Sequence, residues 1–336
     1  MQEISMTRPG DKNIGKRSLP AANSISVHRA FVYSACAPGL GEFYAGNRLR
    51  GLLTATLFIF ATVWFTWTLF VMLSGVIGRI FDSFYGAAPS VLPDVHFSSA
   101  AISFFALYFI WLWAMISAVD AATAHRRRHG KLPQASIGWA VASAWFCPGS
   151  GHVYAGSKRL GYLLFAAYLL AILTVVPAYV ELFYSISRLA GSGELTPNSP
   201  YTVISTIHEL TAKAELSFGK LLRASVGYFA IAGTIDALRQ HLPETDTRWS
   251  RFSIKCGAAL IGLGWLCPGA GQFLQKRDTL GWCLLAGYIG SKFFTGFLLR
   301  HDFIAVSTAD LLGWLSVVIK WGSMAEALFW MTKKGK

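Results

Sequence analysis

The sequence predicts an all-α, polytopic integral membrane protein with about six spans, arranged as three tandem repeats. Three observations carry that prediction. Hydrophobic residues make up 54% of the 336 and charged residues only 14%, against about 25% charged in a soluble domain. The apolar residues gather in long runs, such as Leu52–Phe81, whose single charge is Arg79; about 20 apolar residues cross the hydrocarbon core as a helix. Finally, Pro-Gly-x-Gly occurs three times, each time with a further glycine at the same distance: Pro38 to Gly51, Pro148 to Gly161, Pro268 to Gly281.

Taken in order, residues 1–26 form a polar, basic N-terminal segment with Arg8, Lys12, Lys16 and Arg17. No cleavable signal is expected, because the first apolar run, Ala30–Ala37, is too short for one. Repeat one covers 27–131, repeat two 132–250, and repeat three 251–336 with a basic tail. Each opens with a short apolar segment: Val27–Ala37, Ile137–Cys147, Ile254–Cys267. A Pro-Gly-x-Gly elbow follows. A first long helix comes next, over Leu52–Phe81, Tyr162–Tyr184 and Trp282–Leu299. A second closes the unit, over Ala100–Asp120, Phe218–Asp236 and Thr308–Trp330, ending at or just past an acid followed by alanine.

Lys and Arg crowd the termini, linkers and elbows: Arg126, Arg127, Arg128 and Lys131 in the first linker, Arg48 and Arg50, Lys158 and Arg159, Lys276 and Arg277 in the elbows, and Lys333, Lys334 and Lys336 in the tail. The loop 82–98 has none, and 181–215 carries more acid than base. By the positive-inside rule, elbows, linkers and both termini are cytoplasmic. Both ends of each short segment then face the same side, so the segment is a half-helix that does not cross. At about 1.5 Å per residue it also falls short of the ~30 Å core. Nine spans, with the short segments crossing, is the alternative.

The glycine-rich elbows are not nucleotide loops. FCPGSGHVYAGSK lacks the Gly-x-x-x-x-Gly-Lys-Ser/Thr order, and from Gly149 and Gly151 the third glycine comes too late for a dinucleotide fingerprint. A membrane elbow accounts for more of the residues. Pro and Gly reverse the chain where a Cβ would clash, and Phe43, Tyr44, Tyr154 and Phe273 suit the membrane interface. The net charge of +13 then faces anionic headgroups, not nucleic acid. The five cysteines (Cys36, Cys147, Cys256, Cys267, Cys283) show neither a disulfide framework nor ligand spacing and read as small buried packing residues.

The elbow pattern, Gly-x-Gly-His-x-Tyr-x-Gly then Gly-x-Leu-Leu with a later helix ending in Ile-Asp, resembles the transmembrane-two domain family. It is also similar to bacterial membrane proteins carrying Pro-Gly-x-Gly-x-x-Tyr-x-Gly. The matching residues are Pro38, Gly39, Gly41, Tyr44, Gly46, Gly51 and Asp120 in the first repeat, and Pro148, Gly149, Gly151, His152, Tyr154, Gly156, Gly161 and Asp236 in the second. The third keeps Pro268, Gly269, Gly271 and Gly281, but has Leu274 for the tyrosine, Lys276 for the next glycine and Glu326 for the acid. The resemblance implies a fold and a multi-pass protein of the bacterial inner membrane, and no catalytic residue comes with it.

Two sets of charges stand out. Asp120, Asp236 and Glu326 sit near helix C-termini, where the macrodipole disfavours them by about 0.3–1 kcal/mol. They are expected to pair either with elbow cations (Arg48, Arg50, Lys158, Arg159, Arg277) or with the nearby Arg126 and Arg239. Lys292, Lys320 and Asp310 lie inside expected spans and are functional-site candidates by position, with a structural Lys292–Asp310 pair as the simpler reading. His208-Glu209 lacks the second histidine of a zinc helix, so no metal or cofactor is expected.

The expected function is therefore non-enzymatic: a scaffold, anchor or assembly subunit, partnered by anionic lipids and other membrane subunits. A small transporter or channel with a pathway near Lys292, Lys320 and Asp310 is the alternative. A lipid-acting enzyme comes third, because the one equivalent position holds Glu42, His152 and Gln272, and a shared catalytic role would not vary so freely.

Overall fold

A computed structural model describes residues 25–84, 94–129, 136–191, 205, 216–239, 249, 253–301 and 303–334. Residues 1–24 with Arg8, Lys12, Lys16 and Arg17, residues 85–93 of the expected 82–98 loop, most of the 181–215 loop, His208-Glu209 and the first linker's Lys131 lie outside them. Every element among the described residues is a helix, and one order occurs three times. First come α1 (Val27–Cys36), α2 (Leu40–Tyr44), α3 (Arg48–Phe84) and α4 (Asp94–Arg128). Then follow α5 (Ile137–Phe146), α6 (Ser150–Ala155), α7 (Lys158–Gly191) and α8 (Leu216–Arg239). Last are α9 (Ile254–Leu266), α10 (Ala270–Leu274), α11 (Asp278–Arg300) and α12 (Val306–Lys334).

Among the described residues six helices are long and apolar enough to cross a membrane: α3, α4, α7, α8, α11 and α12. The short helices α1, α5 and α9, of 10 to 13 residues, reach only about 20 Å at 1.5 Å per residue, less than the core thickness. Their bounds fall where the sequence places them, with Ala37, Cys147 and Cys267 as extended C-caps. Ser26 and Ser136 cap α1 and α5 by accepting from the backbone N–H of Arg29 and Trp139, satisfying an otherwise orphaned donor.

Four expectations are corrected. The long helices begin a turn before Leu52, Tyr162 and Trp282, because the elbow's charged residues form their first turns. The elbow is not a bare reversal but contains a helix of five or six residues, α2, α6 or α10. Its aromatics do not all sit at an interface: Tyr154 and Phe273 are 2% and 0% exposed, whereas Phe43 is 38% exposed. Likewise only Cys147 and Cys267 among the cysteines are buried; Cys36 and Cys283 are exposed.

Each long pair packs as a hairpin, α3 on α4, α7 on α8 and α11 on α12, with the short helix against the second span. Neighbouring units join through that second span. Helix α4 packs on α6 and α7 of the next unit, and α8 on α10 and α11. Accordingly α4 and α8 have the most buried apolar stretches, 44% and 39%, against 11% for α3 and 17% for α11. The units form a row in which the elbows lie at one end of the bundle.

Candidate functional site

The elbow begins with a type II β-turn. Leu40, Ser150 and Ala270 donate their N–H groups to the carbonyls of Ala37, Cys147 and Cys267 at 3.0–3.1 Å. Proline stands at the second position and a glycine with φ of +99°, +96° or +89° at the third, the residues this turn requires. The fixed distance to the next glycine now has a cause. A Cβ on Gly39, Gly149 or Gly269 would lie 2.5, 2.0 or 2.3 Å from the carbonyl oxygen of Gly51, Gly161 or Gly281. The turn is pressed backbone to backbone against the first long helix. Gly41, Gly151 and Gly271 bring the elbow close to the second long helix, where a Cβ would meet the side chain of Ala118, Thr234 or Ala327 at 2.7, 2.6 or 3.0 Å.

The elbow tyrosine closes the unit in the other direction. The Tyr44 hydroxyl accepts from the Ser26 N–H at 3.2 Å, and that of Tyr154 bonds the Ser136 backbone, so each ties the elbow to the start of its short helix. Leu274 is buried in the third unit but offers no hydroxyl. Gly46 and Gly156 end α2 and α6 in the left-handed region, and Lys276 adopts the same conformation at φ +62°.

At one equivalent position each elbow helix carries a buried polar side chain, and burial is what its residue type alone does not show. Glu42, His152 and Gln272 are all 0% exposed. Glu42 accepts from Ser34 Oγ at 2.9 Å and from Thr54 Oγ1 at 3.3 Å. Burial raises its pKa, against the lowering effect of those hydrogen bonds. His152 Nδ1 shares a 3.1 Å hydrogen bond with Thr234 Oγ1, and Nε2 faces Gly233 without a polar partner among the described residues. Burial brings its pKa down to about 4. Gln272 donates to the Ser323 carbonyl at 2.8 Å and to Glu326 Oε2 at 2.9 Å, and accepts from Ser323 Oγ. Each polar group is matched to its own hairpin, which explains why the residue differs between units.

Charges staple the units at the same end. Asp120, 8% exposed, accepts from Lys158 at 2.8 Å, Arg50 at 3.3 Å and Tyr162 at 3.3 Å. It therefore joins its own elbow and the next. Glu326 pairs with Arg277 of its own elbow. The second junction runs in reverse: Arg239, on the second span, pairs with Asp278 of the following elbow, while Asp236 pairs, among the described residues, with Arg239 alone, three residues along. Arg48 and Arg159 form no ion pair among the described residues. Asp120 and Glu326 do not sit at the negative ends of their helices, because α4 continues past Asp120 to Arg128 and α12 past Glu326 to Lys334. Asp120 instead meets the first turns of α3 and α7, whose positive ends favour a carboxylate.

The intramembrane charges are not assembled as expected. No Lys292–Asp310 ion pair forms among the described residues, and Asp310 is exposed. Instead Lys292 lies 5.4 Å from the Tyr288 ring, and Lys320 lies 4.3 Å from that of Trp265 and 5.9 Å from that of Tyr288. These are cation–π contacts.

Two hollows meet at Asp120. A polar cleft of about 370 Å³ is walled by Ala45, Gly46, Asn47, Ala124, His125 and Arg128. A groove of about 420 Å³ is walled by Leu53, Thr54, Leu57, Trp113, Ser117 and Tyr162. Arg50, Asp120 and Lys158 belong to both. Among the described residues, no His, Cys, Asp and Glu side chains cluster as a metal site.

No curated protein and no solved structure matches the chain. A family of unknown function (DUF6677) matches residues 258–335, the stretch from within α9 to the end of α12. The chain is a helical membrane-spanning protein whose third unit is similar to that family.

Proposed function

We propose that the protein is a non-enzymatic scaffold or anchor of the bacterial inner membrane, made of three tandem transmembrane-two-like units, with its elbows and both termini at the cytoplasmic face. One observation carries the reading. The polar side chains inside the elbow layer are spent on holding the chain together: Glu42, His152 and Gln272 within units, Asp120 and Arg239 between them. What stays outward is the basic surface of elbows and helix ends, suited to anionic headgroups and to acidic faces of other membrane subunits.

A second reading, a small transporter or channel, draws support from Lys320 near the middle of α12, held by aromatic rings and paired with no acid among the described residues. Ionisable groups at that depth are seldom idle. Asp310 does not join the lysines, which weakens a shared pathway.

Single cysteines at Asn47, Ser157 and Thr279, and in the expected loops at Ser90 and Ser192, test the orientation in a cysteine-free background. The first three should react with an impermeant thiol reagent only from the cytoplasmic side, and the last two only from outside. Proteoliposomes then separate the functions. Ion or solute flux that disappears in Lys320→Ala would overturn the scaffold reading in favour of transport.

A further inference from the structure

We infer that the junction of the first two units is a specific site for one anionic phospholipid, with the phosphate at Arg50, Lys158 and Arg128 and an acyl chain along the groove beside Leu57. This rests on the reading that the elbow end lies at the headgroups. Polarity changes along α4. From Asp120 toward Arg128 lies the polar cleft; from Asp120 back to Trp113 lies the groove, where beyond the shared Arg50, Asp120 and Lys158 the side chains of Leu53, Leu57, Trp113 and Tyr162 outnumber those of Thr54 and Ser117. Along α3 the same change runs from Arg50 to Leu57, about 10 Å at 1.5 Å per residue. A polar cleft and an apolar groove that share Arg50, Asp120 and Lys158 as their common wall match the length axis of a phospholipid.

Charge selects an anion. Arg50, Lys158 and Arg128 outnumber the one carboxylate, and that carboxylate is sunk to 8% exposure while Arg50 and Lys158 remain 50% and 55% exposed. Arg50 and Lys158 each give one donor to Asp120 and keep others for a phosphate oxygen. The first turns of α3 and α7 converge at the same point and add their positive ends. A diffuse basic surface would not need the acid; here Asp120 holds two cations from different units at the spacing of one headgroup.

The test is retention of phosphatidylglycerol by the purified full chain in neutral detergent, counted by native mass spectrometry. One lipid per chain should be retained at saturation, and phosphatidylcholine far less well. Arg50→Gln with Lys158→Gln should weaken retention about tenfold or more, since two charge-assisted contacts are lost. Arg159→Gln, an exposed elbow cation outside the hollow, should leave it unchanged. Leu57→Trp, which fills the groove and removes no charge, should also lose the lipid, and it keeps the test open if the double variant fails to fold. Millimolar inorganic phosphate should not displace the lipid; displacement would make this a small-anion site and overturn the proposal. Anionic lipid enriched equally around wild type and double variant in mixed nanodiscs, with none retained singly, would refute the site and leave the basic-face reading standing. If no enrichment occurs at all, both fall.

Discussion

Gly149 and Gly161 touch backbone to backbone: a Cβ built on Gly149 would stand 2.0 Å from the Gly161 carbonyl oxygen. No rotamer relieves that approach, because both partners are main chain. Gly149→Ala also forces a side chain onto φ +96°, so it should cost about 3 kcal/mol or prevent folding. Gly138→Ala, at a helical glycine with nothing within 4 Å, should be neutral or stabilising by about 0.5–1 kcal/mol. Thermal unfolding in detergent separates the two; equal effects would refute the close-approach account.

Lys276 holds the left-handed position that Gly46 and Gly156 fill in the other units. Lys276→Gly removes that strain and should raise stability by about 1 kcal/mol. A drop in melting temperature would show that the lysine's contacts outweigh its backbone cost.

His152 and Glu42 set opposite pH limbs. The His152 pKa is depressed from 6.5 to about 4, so its contribution is intact above 6.5 and is lost as pH falls toward 4. The loss is about 3 kcal/mol by linkage. The Glu42 pKa is raised, so its contribution is intact in acid and is lost as pH rises through the raised value. His152→Gln, the residue type of the third unit, should flatten the acid limb, and Glu42→Gln the other. Unchanged stability–pH curves would exclude both assignments.

The reversed staple is open to a charge swap. Arg239 is 18% exposed and Asp278 41%. Asp278→Asn should destabilise by about 1–2 kcal/mol, between an exposed and a buried pair. Arg239→Asp alone should be worse, and Arg239→Asp with Asp278→Arg should recover part of the loss. Strict additivity in that cycle would mean that the pair contributes nothing.

Lys320 carries a charge at membrane depth against Trp265 and Tyr288. If its role is structural only, Lys320→Met keeps the volume, drops the desolvated charge and should leave stability unchanged or about 1 kcal/mol higher. A loss of stability beyond that would show the cation–π contacts to be worth more than the desolvation they offset.

Much of the fold was legible because it is local. Apolar length alone sets which helices can cross and which cannot, and the short segments end where Ala37, Cys147 and Cys267 break the helix before a proline. The glycine spacing was visible as a pattern, since one turn pressed on one helix requires the same number of residues each time. Tertiary structure decided the rest, because partner choice depends on which distant elements lie side by side. Nothing along the chain marks Asp120 as the acid that bridges two elbows, or Arg239 as the cation that reverses the next staple. Phe273 and Tyr154 have the composition of interface aromatics but are buried, Phe273 against Gly281 and Trp282 of the following helix and Tyr154 beside His28 of the first unit. Glu42, His152 and Gln272 looked like a position without a rule, and their rule is the hairpin each one has to satisfy once water is excluded.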